Sequence, residues 1–88
     1  MVVVRVKYLL WLMDRVGVSE ETIEFSGSRL SGLVREIKRK YRVFDKYLPG
    51  IGAMDSKVSV LVNGVSVSKD LELVDGDEAV FIPLVPGG

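Results

Sequence analysis

Residues 58–67 read VSVLVNGVSV, and the reading of this stretch decides the fold. Val58, Val60 and Val62 alternate with Ser59 and Leu61, the two-residue period of a strand that buries one face. Asn63 and Gly64 then supply two residues that accept positive φ in a tight turn, so 65–67 returns as a short antiparallel partner. On the C-terminal side, 70–74 leads into Asp75-Gly76-Asp77, a second turn. Residues 78–85 (EAVFIPLV) form a last apolar strand in which Phe81 and Ile82 face opposite sides, and Pro86-Gly87-Gly88 is left as a tail. On the N-terminal side, 47–56 (YLPGIGAMDS) holds one proline and two glycines without periodicity and reads as a surface loop.

Further upstream the period changes. Leu30, Leu33, Val34, Ile37 and Tyr41 recur at the spacing of one helix face, with Ser28 as the expected N-cap. Before the Ser26-Gly27-Ser28 break, 20–25 alternates with Ile23 and Phe25 inward. Residues 2–9 alternate too, with Val2, Val4, Val6 and Tyr8 on the buried face and Leu9 on the outer one. The residues up to Val16 have no period of two, and Gly17 closes them like a helix C-terminal glycine, which places a short helical turn there. The two N-terminal strands are close enough in sequence to pair antiparallel. The order is two strands, a helix, then two or three strands. This is an α+β domain covering residues 1–88, a mixed sheet of four to five strands with one main amphipathic helix on one face and a flexible tail at 86–88.

The 88 residues contain no histidine and no cysteine, which removes disulfides, thiol nucleophiles, imidazole bases and zinc fingers together. Twelve basic residues balance twelve acidic ones, so no net positive charge is available to hold a nucleic acid. Charged residues interrupt every apolar run well short of the ~18 that would suggest a membrane span, and no signal peptide is recognisable. A soluble cytoplasmic protein is expected. Arg35, Lys38, Arg39, Lys40 and Arg42 read as the solvated, dipole-complementing side of the helix. Gly50-Ile51-Gly52 lacks the strand, the helix and the third glycine of a dinucleotide fingerprint. Asp75-Gly76-Asp77 suits a turn better than a metal site, and a calcium loop needs a longer ligand series. No metal site is expected, and no residue pattern supports catalysis by the chain alone.

The tail is a different matter. Gly87 and Gly88 lack Cβ atoms, so they can thread a narrow channel behind a proline that holds their root. Together with Val60-Leu61-Val62-Asn63-Gly64, the segment Leu73-Val74-Asp75-Gly76-Asp77-Glu78 and the ending Phe81-Ile82-Pro83-Leu84-Val85-Pro86-Gly87-Gly88, it resembles the MoaD family, the small sulfur-carrier subunit of molybdopterin synthase. The family commonly ends in Pro-Pro-Val-x-Gly-Gly; here Leu84 replaces the second proline and Pro86 fills the variable position. The resemblance implies a ubiquitin-like β-grasp fold related to ThiS. It implies that the Gly88 carboxylate is adenylated by an E1-like, MoeB-type activating enzyme and converted to a thiocarboxylate. The sulfur would then pass to a pterin precursor in a MoaE-type large subunit. No cofactor would be bound permanently, and ATP would be used by the activating partner. Leu9 and Ile82, outward by strand parity, match the positions at which the family holds its partners.

Three alternatives share these residues. A ThiS-type thiazole sulfur carrier usually has a shorter helix-to-strand connection than 42–57 here. A ubiquitin-like modifier would be conjugated through Gly88. In a non-covalent β-grasp binding module the two glycines would be incidental. Asp70, Glu72, Asp75, Asp77 and Glu78 form an acidic run, and 28–46 holds seven basic residues and two acidic ones. The acidic run is therefore expected to orient the tail towards a basic groove on the activating enzyme, an effect that salt weakens.

Overall fold

The alternation of valines with polar or small residues builds the two halves of one sheet, and the last strand joins them. The computed structural model describes residues 1–49 and 56–84. Its elements are β1 (Val2–Tyr8), α1 (Trp11–Val16), β2 (Glu20–Phe25), α2 (Leu30–Lys40), α3 (Phe44–Tyr47), β3 (Val58–Val62), β4 (Val65–Val67) and β5 (Glu78–Pro83). The strand order is β2-β1-β5-β3-β4. β1 pairs antiparallel with β2 and parallel with β5, and β3 pairs antiparallel with both β4 and β5. The expected N-terminal pairing, the short helix between its two strands and the Asn63-Gly64 hairpin are all present, with Asn63 at φ 51° and Gly64 at φ 84°. Gly17 closes α1 in the left-handed region, its N–H donating to the Met13 carbonyl.

α2 covers the inner face. Leu30, Leu33, Val34 and Ile37 are buried with Val4, Val6, Ile23, Phe25, Val58, Val60, Ala79 and Phe81 in one continuous core. An amphipathic helix is held on a sheet chiefly by this apolar burial, and not by its own propensity. Outer-face residues of β1 and β2 are instead paired in water: Arg5 with Glu20 at 3.5 Å, and Lys7 with Glu78 on β5 at 3.3 Å.

Three expectations are corrected. Ser28 does not cap α2: Arg29 occupies the N-cap without a side-chain hydrogen bond. The cap comes from a remote residue, Asp70, whose carboxylate accepts from the Ser31 N–H at 2.9 Å and the Ser31 hydroxyl at 2.8 Å. Around it, the Leu30 N–H donates to the Leu71 carbonyl and the Leu73 N–H to the Ser28 carbonyl, so 70–73 staples the helix entry. Next, the start of the supposed surface loop is core. Tyr47 ends a four-residue helix, and Phe44, Tyr47 and Leu48 are all buried. Gly50-Ile51-Gly52 lies outside the described residues. Finally, the last strand stops at Pro83, two residues short of Val85.

Candidate docking edge at the root of the tail

β5 carries the chain towards Leu84, whose N–H donates to the Lys57 carbonyl at 2.7 Å. Pro86, Gly87 and Gly88 lie outside the described residues. What the structure places is the root of the tail and its surroundings. The parallel register ends at Tyr8 opposite Phe81, and one step on the Leu9 N–H donates to the Phe81 carbonyl at 3.1 Å. Leu9 and Ile82 are therefore neighbours of the same parity on the outer face, Leu9 38% exposed and Ile82 half-buried. Both expected docking residues fall at one edge. Strand parity adds Leu61 on β3 and Val80 on β5, both half-buried on that face, since Leu61 pairs with Val80.

The floor beneath them is aromatic. Tyr8 and Phe81, the inward neighbours of Leu9 and Ile82, stack with centroids 6.0 Å apart, and Phe44 meets Phe81 edge-on at 5.5 Å. Offset and edge-to-face pairs of this kind hold their rings in narrow orientations. The segment misread as a loop thus backs the docking edge from inside. Tyr47 adds a further edge contact with Trp11 at 4.9 Å, tying α3 to α1.

Residue parity missed the other half of the edge. After Leu9 the strand breaks into α1, and Leu10 and Met13 project outward, exposed. With Lys7, Leu9, Ser19 and Glu20 they line an open recess. Leu84, also exposed, lies at the tail root. Nothing in a local pattern announces Leu10 and Met13, because six helical residues are too few to show a period.

A polar cluster that includes Tyr8, the inward neighbour of Leu9, adjoins this edge. Glu21 accepts hydrogen bonds from the Tyr8 hydroxyl at 2.7 Å, the Tyr41 hydroxyl at 2.8 Å and the Lys40 ammonium. Burial pushes its carboxyl up, but these donors outweigh it and hold it below the ordinary value. Burial and the bond to Glu21 push the Tyr8 phenol up in turn. Among the described residues no group of three potential metal ligands occurs, and no buried side-chain polar atom lacks a hydrogen-bond partner. No helix among them is long and apolar enough to cross a membrane.

The acidic turn lies at the opposite end of β5 from Leu84, the root of the tail. Asp75 and Asp77 clamp the start of β1: the Val3 N–H donates to Asp75, the Gly76 N–H to the Val3 carbonyl, and the Arg5 N–H to the Asp77 carbonyl. That turn precedes β5 and the tail follows it, so six strand residues, about 20 Å, separate them.

A family model described as the ThiS family matches residues 6–88. The chain belongs to the ThiS family. Among solved structures, a protein from Pyrococcus furiosus assigned as molybdopterin converting factor, subunit 1, is 39% identical, with a TM-score of 0.81, over 97% of this chain and 100% of that one. The small archaeal modifier protein 1 of Methanosarcina acetivorans is 24% identical, covering 100% of this chain and 98% of that one, TM-score 0.75. The modifier protein 1 of Haloferax volcanii is 18% identical, covering 98% and 99%, TM-score 0.78. A search of curated proteins finds no match. This ThiS family member has the ubiquitin-like β-grasp fold that the family resemblance implied, and among the described residues it has three helices of which α2 is the main one.

Proposed function

We propose that this ThiS family protein is the sulfur-carrying small subunit of a molybdopterin synthase. The observation that carries the reading is the end-to-end likeness, at 39% identity, to a protein assigned as molybdopterin converting factor, subunit 1. The chemistry follows from the tail. A Gly88 carboxylate oxygen attacks the α-phosphorus of ATP on an E1-like activating enzyme, and the bond to pyrophosphate breaks. A sulfur nucleophile at the sulfide level then adds to the acyl carbon, AMP leaves with the electron pair, and a thiocarboxylate remains. Its sulfur is the nucleophile delivered to a pterin precursor in the large subunit. Pro86 and Gly87 precede the reacting residue in the sequence, and Leu9 and Ile82 give the partners a surface to grip. Positioning and charge stabilisation come from those partners, which suits a carrier without histidine or cysteine.

The test is intact-mass measurement of the full-length protein after incubation with ATP, a sulfur donor and the activating enzyme of its own cell. A variant lacking Gly88 runs alongside. Exchange of one terminal oxygen for sulfur in the full-length protein only is the expected result. An unchanged mass, with the enzyme active on another carrier, overturns the reading. Gly88-linked conjugates in cell extract in place of the thiocarboxylate would identify a modifier instead.

A further inference from the structure

Leu10 is held in a conformation that leucine disfavours, and its side chain lies outside the core. Its backbone lies at φ 56°, ψ −133°. Leu9 and Leu12 close a turn around it, the Leu12 N–H donating to the Leu9 carbonyl at 3.2 Å. Those angles belong to the first central position of a type II′ turn, where glycine is preferred because it has no Cβ. Yet the residue is leucine, 68% exposed, and it is not among the hydrophobic residues packed on the core. Folding alone would favour glycine or asparagine at this position. Strained backbone that the fold does not require gathers where a surface is used.

The surroundings indicate the use. Leu10 and Met13 continue the apolar edge from Leu9, and α1 touches β5, the strand that leads to the tail. The four residues after Leu84 span at most about 14 Å when extended. A protein that holds the Gly88 carboxylate must therefore lie close to this edge.

We propose that Leu10, with Met13 beside it, is a specificity-determining docking residue. It inserts into an apolar recess on the activating enzyme that takes the Gly88 carboxylate. This rests on the carrier reading above. Leu10 exchanges local backbone stability for contact area that only the complex uses, so its removal acts on partner recognition and not on the adenylation step.

The experiment is ATP–pyrophosphate exchange by the cell's own activating enzyme, with carrier concentration varied, alongside thermal denaturation of each free carrier. The full-length wild type is compared with Leu10→Gly, Leu10→Asn, Met13→Ser and, as a control on the distant edge strand, Val65→Ser. Leu10→Gly relieves the backbone, and Leu10→Asn tolerates positive φ without glycine's added chain entropy. Both are expected to keep or raise the melting temperature and to raise KM for the carrier about tenfold, the loss typical of an anchoring apolar residue, with kcat within about twofold. Val65→Ser should leave KM unchanged. An unchanged KM in both Leu10 variants overturns the docking role while leaving the carrier reading intact. A lowered melting temperature in both shows a structural residue and overturns it as well. Self-association of the wild type that the Leu10 variants abolish without altering KM assigns the patch to a second copy of the chain and also overturns it. No exchange with the wild type overturns both proposals together.

Discussion

Asp70 begins the case at the scale of single residues, because it caps a helix that starts far upstream of it. Its two bonds to Ser31 hold its carboxyl below the ordinary value, and they satisfy an N–H that the first turn of α2 leaves open. Asp70→Ala is expected to lose about 0.5–2 kcal/mol, the range for a lost N-cap, and thermal melting should fall by several degrees. Asp70→Asn keeps an acceptor and should lose less. Glu21 gives a pH-dependent case. Its folded value lies below the unfolded one, so its contribution is fully present above the unfolded pKa of about 4.5 and is lost as pH falls through the folded value. Glu21→Gln should therefore destabilise by about 1–3 kcal/mol at neutral pH. Denaturant titrations from pH 7 down to pH 3 should show the gap to wild type closing. A gap that stays constant through that range would remove Glu21 from the acid limb.

Among the elements, α3 carries the most consequence for its length. Phe44 stands at the junction of Tyr8, Phe81 and Tyr47, so it supports the residues that back Leu9 and Ile82. Phe44→Ala is expected to lose about 3–5 kcal/mol, as truncation of a fully buried aromatic does. A second readout separates it from a bland core loss: backbone amide resonances of Leu9 and Ile82 should shift, and those of β4 should not. The strands and the outward placement of Leu9 and Ile82 were legible because a period of two fixes parity. The Asn63-Gly64 turn was legible because few residue pairs accept its dihedrals. α3 was not, because four residues next to Pro49 and Gly50 cannot show a helical period. Ser28 misled because a local capping preference was outcompeted by a tertiary partner, and the rare backbone of Leu10 has no signature in a side chain that prefers otherwise.

For the whole molecule, neutrality conceals local pairing: the Arg5–Glu20 and Lys7–Glu78 ion pairs lie on the outer face, with Lys7 and Glu20 in the recess that Leu9, Leu10 and Met13 also line. The acidic turn sits a strand length from the tail root, about two Debye lengths at physiological ionic strength. Activation should therefore depend weakly on salt: kcat/KM for the carrier is expected to change less than about tenfold between 50 and 500 mM salt. A steeper fall would support electrostatic steering by the 70–78 segment. The sheet order has a consequence of another kind. β5 is the central strand and the last of the described strands in chain order, and it separates β2-β1 from β3-β4. No strand pairing joins the two halves before it arrives. A chain still emerging from the ribosome thus holds two unjoined ribbons, and the completed sheet, the paired Leu9–Ile82 surface and the glycine tail come into being in one step. On the carrier reading proposed above, a chain that still lacks β5 lacks the paired Leu9–Ile82 surface, so the order of synthesis itself delays full docking until the sheet is joined.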